Sequence, residues 1–350
     1  MPRARKPENR GLPARWRFTH GAYYYQVPPG QESTWDGKHT FRLGKKLPEA
    51  YKLWAERIGT IENASTIGAL LDRYIIEVVP NKSITTQAHN KIAIKPIRSV
   101  FADVRLLDLK PRHVYQYIEK RTAKISARRE IEVLSHAFTK AVEWGYIDRH
   151  PFKGEVRLEG EKARTRYVED WEIVECLALT SKRKAGSVLA VQAYIRLKLL
   201  TGMRRGDLLR LTLSDLKEDG IHVTPHKTLN STGKRLIIGW SDEVREAIAM
   251  AKAARPVKLS PYIFCNRLGK CYFDEVTGRA GGWDSMWRGF ATRLLEETKV
   301  KEKFTEHDLR AKCASDASSL EHARSLLAHA DSRLTDRVYR RRPEYVNPLR

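Results

Sequence analysis

The chain has 350 residues, 41% of them hydrophobic; that is enough apolar material for real cores and too much length for one ordinary domain, so two or three are expected. Lysine and arginine number 65 against 42 aspartates and glutamates, a formal net charge of +23, which predicts a polyanionic partner. No apolar run is long enough to span a bilayer and no signal peptide opens the chain, so nucleic acid rather than a membrane is the expected polyanion. Cys176, Cys265, Cys271 and Cys313 are few and scattered; they suit a reducing cytoplasm and lack the paired spacing of a zinc site.

In chain order, residues 1–61 read as a basic arm. An arginine- and proline-rich tail is followed by three short strands, Trp16-Arg17-Phe18, Tyr23 to Val27 and Thr40 to Leu43, and by a helix from Pro48 to Ile58. Aromatics beside arginines fit either a DNA-reading sheet or the core of a very small fold. Residues 62–155 read as a helical bundle. Ile67, Leu70, Leu71, Tyr74, Ile75 and Val78 mark one helix, and Asn81-Lys82-Ser83 breaks it. A second helix runs through Ile92 and Ile97 to Phe101, with a bend expected at Pro96. A third begins at Leu107 to Pro111 with Val114, Tyr115 and Ile118 inward. The fourth runs from Ser126 to Trp144 and stops at Gly145. Lysines and arginines between the apolar positions give the bundle a basic face. Residues 156–165 lack a periodic apolar face and read as an extended linker.

The last part, 166–350, opens on a stripe of Trp171, Val174 and Leu177. Val188 to Leu200 follows as a strongly apolar helix that ends at Thr201-Gly202-Met203-Arg204. Arg204 sits where the next helix begins, a place whose free N–H groups favour phosphate, and Asp207 is placed to brace its guanidinium. Ile221 to Thr224 and Lys234 to Ile238 read as a hairpin, with Leu229 to Gly233 near its tip and Lys227 on it, a cation able to protonate a leaving oxygen. The fold class is therefore mainly α with small β elements (α+β).

The chemistry concentrates near the end. His307 and Arg310, in His307-Asp308-Leu309-Arg310, are three apart and share one helix face. His329 follows Leu326-Leu327-Ala328 as if at the end of a short buried helix. Tyr339 lies among Arg337, Arg340, Arg341 and Arg342. A phenol with a pKa near ~10 is a poor nucleophile at neutral pH unless cations or a base surround it. Guanidiniums suit the charge that builds on phosphate oxygens. Singly, each residue is ordinary surface chemistry; their order and spacing as a set are not.

That set, from Thr201 to about Arg342, resembles the tyrosine recombinase family, most nearly the lambda-type integrases of temperate phages. The layout of arm, helical bundle and linker before it is similar too. The resemblance implies that Arg204 and Arg310 clamp the scissile phosphate and that Lys227, with Lys234 as its rival, is the general acid. His307 would assist proton transfer, His329 would hydrogen-bond the phosphate, and Tyr339 would attack to leave a 3′-phosphotyrosine. Ala328 stands where glycine is usual, and Tyr345 is a second, less suitable phenol. The same resemblance implies no cofactor or metal, double-stranded attachment-site DNA as partner and a homo-tetramer on that DNA. It also implies a host DNA-bending protein, a directionality factor, and a place in the bacterial cytoplasm on the nucleoid. A type IB topoisomerase-like strand relaxer and a DNA-binding regulator without activity are the alternatives.

Overall fold

The computed structural model of the chain describes residues 9, 11–58, 65–160, 163–181, 186–226, 233–275, 277–343 and 346–349. Lys227, Tyr345 and most of the expected hairpin tip lie outside the described residues. The chain forms two compact units, Met1–Glu161 and Lys162–Arg350.

The first unit begins with an antiparallel sheet in the order β1 (Trp16–Thr19), β2 (Ala22–Gln26), β3 (Thr40–Gly44). Side chains alternate across a strand, and the register sorts them. Trp16 pairs with Tyr25 and Tyr25 with Phe41, all three buried, while Arg17 pairs with Tyr24 and Tyr24 with Arg42 on the opposite face. Trp16, Tyr25 and Phe41 are thus core, as one of the two readings of the arm's aromatics expected. Helix α1 (Leu47–Ile58) covers the buried face with Trp54 and Ala50. Arg57 stacks over Phe41 at 4.5 Å and holds Asp36 at 2.7 Å.

The helical core of this unit is built by α2 (Ile67–Arg73), α3 (Ile84–Phe101), α4 (Pro111–Lys120) and α5 (Lys124–Glu143). Thr66 and Ser83 cap α2 and α3 through their hydroxyls, accepting from Ala69 N and Thr86 N. Helix α3 continues through Pro96 rather than ending there. Val114 and Tyr117 are the buried residues of α4. Tyr115, expected inside, is exposed, and its hydroxyl instead accepts from Arg157 N at 3.1 Å. The tract expected to be a free linker is not bare: Val156 and Leu158 pack on the helical core. A buried ion pair, Arg98 with Asp72, ties α3 to α2.

In the second unit α6 (Asp170–Ala178) buries Glu172, Ile173 and Cys176, while Trp171 and Val174 are exposed. The expected stripe is one residue out of phase: Ile173 and Cys176 pack into the core, and Glu172 is buried in an ion pair with Arg166. Helix α7 (Ser187–Thr201) is the central element, packed along α9 (Asp242–Ala254) and against α11 (Glu306–Asp316). Between them lie α8 (Arg205–Arg210), the hairpin β4 (Ile221–Val223) and β5 (Leu236–Ile238), and α10 (Gly281–Glu297). The chain ends through α12 (Leu320–Leu326), the single turn α13 (Ser332–Leu334) and a wide helical turn, Thr335–Tyr339.

Phe138 is fully buried in the first unit, with Phe152 at 5.7 Å and His150 at 5.8 Å. Phe138→Ala should cost that unit about 3–5 kcal/mol in urea unfolding. A loss under about 1 kcal/mol would mean that the site is loosely packed.

Candidate active site

The site is built on the turn that closes α7. Gly202 takes φ +61°, the left-handed region that glycine enters freely. A Cβ there would lie 2.9 Å from Leu327 Cδ2 and 3.2 Å from Cys313 Sγ, so space and backbone both require glycine. The carbonyls of the turn are held from two sides. Arg310 donates to Gly202 O, and the buried Lys198 ammonium donates to Met203 O at 3.1 Å and to Tyr194 Oη at 3.2 Å. Burial lowers Lys198 to about 7, partly opposed by Glu306. Glu306 in turn accepts from Tyr194 Oη at 2.8 Å and from Trp283 Nε1 at 2.9 Å. Arg204 emerges from this turn as the N-cap of α8.

Helix α11 carries the second arginine. Thr305 caps it in a capping box with Asp308, which fixes where the helix starts and so where His307 and Arg310 project. Arg310 is 2% exposed. Besides Gly202 O, its guanidinium donates to Leu327 O at 2.7 Å and to His329 Nε2 at 3.2 Å. Its buried Nε has no partner among the described residues. Burial first, and then the charge of Arg204, lower Arg310 to about 10. The Arg204 side chain makes no hydrogen bond or ion pair among the described residues, and the residue is half-buried. Two mutually repelling guanidiniums, one of them with a spare buried donor, need an anion between them.

His329 follows Ala328, which adopts φ +51°, the conformation that makes glycine the usual residue at that point. Arginine can only donate, so His329 Nε2 accepts; the neutral ring then carries its proton on Nδ1, which bonds Thr335 Oγ1 at 2.9 Å. Burial and the charges of Arg310 and Arg204 push His329 down to about 4, with Lys234 contributing to the same field. His307 keeps an open side to solvent. Crowding by protein and the charges of Arg310, Arg341 and Lys198 push it down to about 4 as well. Both imidazoles are therefore neutral at pH 7.

Tyr339 is 9% exposed. Its ring lies 5.1 Å from that of His307 and 4.9 Å from that of His329, with Arg310 Cζ at 5.6 Å from its centroid. The fold thus gathers His307, Arg310, His329 and Tyr339 around one point, with Arg204 close enough to act electrostatically on two of them. Asp207 does not brace Arg204. Its carboxylate accepts from His226 N at 2.9 Å and anchors the chain where it leaves β4. Lys198, Glu306, Asp308 and Arg341 support the site and were not singled out from the sequence. Lys198 and Glu306 sit in apolar or acidic helix patterns that give no sign of their partners. Among the described residues no group of three or more metal-ligating side chains occurs, and no helix is long and apolar enough to cross a membrane.

A buried phenol with one guanidinium and two neutral imidazoles against it, and a second guanidinium acting on the same pocket, makes a site suited to an anion such as phosphate. Residues 172–344 match the Phage integrase family. The Integrase of Enterobacteria phage 434 is 25% identical over 244 residues, covering 65% of this chain and 66% of its own length. A lambda integrase dimer bound to a COC′ core site has a similar fold, with TM-score 0.63 and 21% identity over 99% of this chain and 100% of that one. The Tn1549 transposon integrase bound to circular intermediate DNA is similar in fold at TM-score 0.63 and 15% identity, over 78% of this chain and 94% of that one. Residues 172–344 carry a domain of the Phage integrase family, the family of the tyrosine-type site-specific recombinases.

The two histidines make stability depend on pH. The unfolded chain takes up their protons near 6.5, the folded pocket only near 4. Between these values the unfolded state binds more protons, so stability falls as pH drops from 6.5 to 4. The melting temperature of the full chain should fall over that window, and the His307→Asn, His329→Asn double variant should flatten the slope. An unchanged slope in the double variant would show that other groups dominate.

Proposed function

We propose that Tyr339 is the nucleophile of a site-specific recombinase that integrates and excises a phage or other mobile element. The observation that carries this is the buried Tyr339 ring seated between His307 and His329 and against Arg310. Arg204 and Arg310 hold the scissile phosphate and stabilise the charge that builds on its non-bridging oxygens. The Tyr339 oxygen bonds phosphorus as the bond from phosphorus to the 5′ oxygen breaks. His307, neutral, accepts the phenol proton. His329 bonds the phosphate once its ring proton moves to Nε2, which turns from Arg310 to a phosphate oxygen while Nδ1 accepts from Thr335 Oγ1. The departing 5′ oxygen takes a proton from a lysine, Lys227 or Lys234. Lys227 lies outside the described residues, and the charge of Lys234 acts on His329. The freed 5′ hydroxyl of one duplex then attacks the phosphotyrosine of another, which restores the phosphodiester. The covalent link conserves the bond energy, so no cofactor or metal is needed.

The partner is double-stranded DNA bearing attachment sites. Exchange between two duplexes requires four cleavages and hence four protomers on DNA; a lambda integrase tetramer bound to a Holliday junction shares this fold at TM-score 0.62 and 21% identity. A host DNA-bending protein and a directionality factor complete the assembly, which works on the nucleoid of a bacterial host. Residues 1–61 act as an arm-binding domain, 62–155 as a core-binding domain, 156–165 as the linker and 166–350 as the catalytic domain. The sheet supports the first assignment. Arg17, Tyr24 and Arg42 stand in one row across its open face, and Arg17 Nη2 bonds Gln26 Oε1 at 3.1 Å beside them.

With supercoiled plasmid and with paired attachment sites, the native chain should give a covalent protein–DNA adduct and recombinant joints. Tyr339→Phe should abolish the adduct and leave DNA binding within about twofold. An adduct that persists in Tyr339→Phe would name another nucleophile, relaxation without joints would point to a topoisomerase, and binding without adduct to a regulator. For the arm, Arg17→Ala and Arg42→Ala should each reduce the salt slope of DNA binding by about 0.9. An unchanged slope in both would remove this sheet face from the interface.

A further inference from the structure

Two segments of the second unit meet on one carboxylate that the chemistry above does not use. Asp308 is fully buried. Its Oδ1 accepts from Arg341 Nη1 at 2.6 Å and from Arg164 Nε at 3.1 Å. Its Oδ2 accepts from Arg164 Nη2 at 2.9 Å and from Thr305 N and Oγ1, both at 2.8 Å. Burial alone would raise this carboxyl, but the hydrogen bonds from Arg341, Thr305 and Arg164 outweigh it and hold it lowered. Arg341 follows Tyr339 by two residues, and Asp308 precedes Arg310 by two. The carboxylate therefore joins the segment that carries the phenol to the helix that carries the phosphate clamp.

Arg341 is a junction in its own right. Its side chain is 4% exposed. Nη1 also donates to Arg166 O at 3.0 Å, Nε donates to Val338 O at 3.1 Å, and its backbone N–H donates to Ser315 Oγ at 2.7 Å. The same Ser315 hydroxyl bonds Tyr339 O at 3.0 Å. Past Arg341 the described residues 346–349 are all exposed. Apolar packing around the phenol is thin: its cluster is Ala311, Ala314, Ala323 and Leu327. Alanines bury little area and leave a tail free to slide. A buried ion pair adds little net stability but fixes register, because any shift strands a charge.

We propose that Asp308 is a positioning residue for the nucleophile, seating Tyr339 over the clamp through Arg341, with Arg164 as the second hand on the same carboxylate. Arg164 stands just past the boundary between the two units, so the chain entering the catalytic unit shares the carboxylate that locates the phenol. This rests on Tyr339 being the nucleophile.

The test uses the full chain and a nicked duplex carrying the junction sequence of its own element. Adduct rate at saturating DNA, DNA affinity, melting temperature and trypsin cleavage after Arg337 and Arg340 are measured for native, Arg341→Ala, Arg341→Lys and Arg164→Ala chains. Arg341→Ala should lower the saturated adduct rate about 10- to 100-fold, as a misplacement of about an ångström does, with affinity unchanged and faster tryptic cleavage of the tail. Arg341→Lys should recover part of the rate, and the half-exposed Arg164→Ala should show a smaller loss of the same kind. Should Arg341→Ala not fold, Arg164→Ala decides alone. Native rates in both alanine variants, or affinity and rate falling together, overturn the positioning role. A native chain without adduct, or an adduct in Tyr339→Phe, overturns the nucleophile assignment and this inference with it.

Discussion

An arginine buried to 2% exposure with a guanidinium facing another arginine is an expensive thing to keep in a fold. Removing a charge from water costs several kcal/mol unless something takes its place. Arg310 is partly repaid by two backbone carbonyls and a histidine nitrogen, none of which is an anion. The pocket therefore favours a group that brings negative charge. Burial, with the charge of Arg310 added to it, keeps both histidines neutral at pH 7.

Much of the second unit exists to hold that arrangement still. The turn at Gly202 has to pass within van der Waals reach of Leu327 and Cys313 while offering its carbonyls to Arg310 and Lys198. Beneath it the buried chain from Lys198 through Tyr194 to Glu306 and Trp283 ties α7, α11 and α10 into one support. Polar networks of this kind rigidify a site when every member is satisfied. Above it, the Asp308 ion pairs hold the segment that ends in Tyr339. Preorganisation of this sort supplies rate by holding groups where charge will develop rather than by new chemistry.

The first unit solves a different problem with similar economy. Its sheet buries Trp16, Tyr25 and Phe41 on one face and leaves Arg17, Tyr24 and Arg42 on the other, so one short sheet is both core and open basic surface. The excess of positive charge over the whole chain adds attraction to any duplex, independent of sequence.

The sequence by itself determined the class of the fold and named four of the residues that meet in the pocket, His307, Arg310, His329 and Tyr339. Helical periodicity, glycines at turns and the spacing of His307, Arg310, His329 and Tyr339 are local signals, and a local signal survives in one dimension. What it left open depended on phase and on distant partners. The inward face of α6 is set by the core that Ile173 and Cys176 join and by the partner Glu172 finds in Arg166, and Tyr115 turns outward to bond the chain near Arg157. Asp207 found His226 instead of Arg204. Arg341 looked like any member of a basic run until Asp308 was seen beside it, 33 residues earlier in the chain. Which of several equal arginines is buried, and which carboxylate receives it, is decided only when helices from far apart in the chain pack together, because the free energy of a buried charge depends on everything that surrounds it in space.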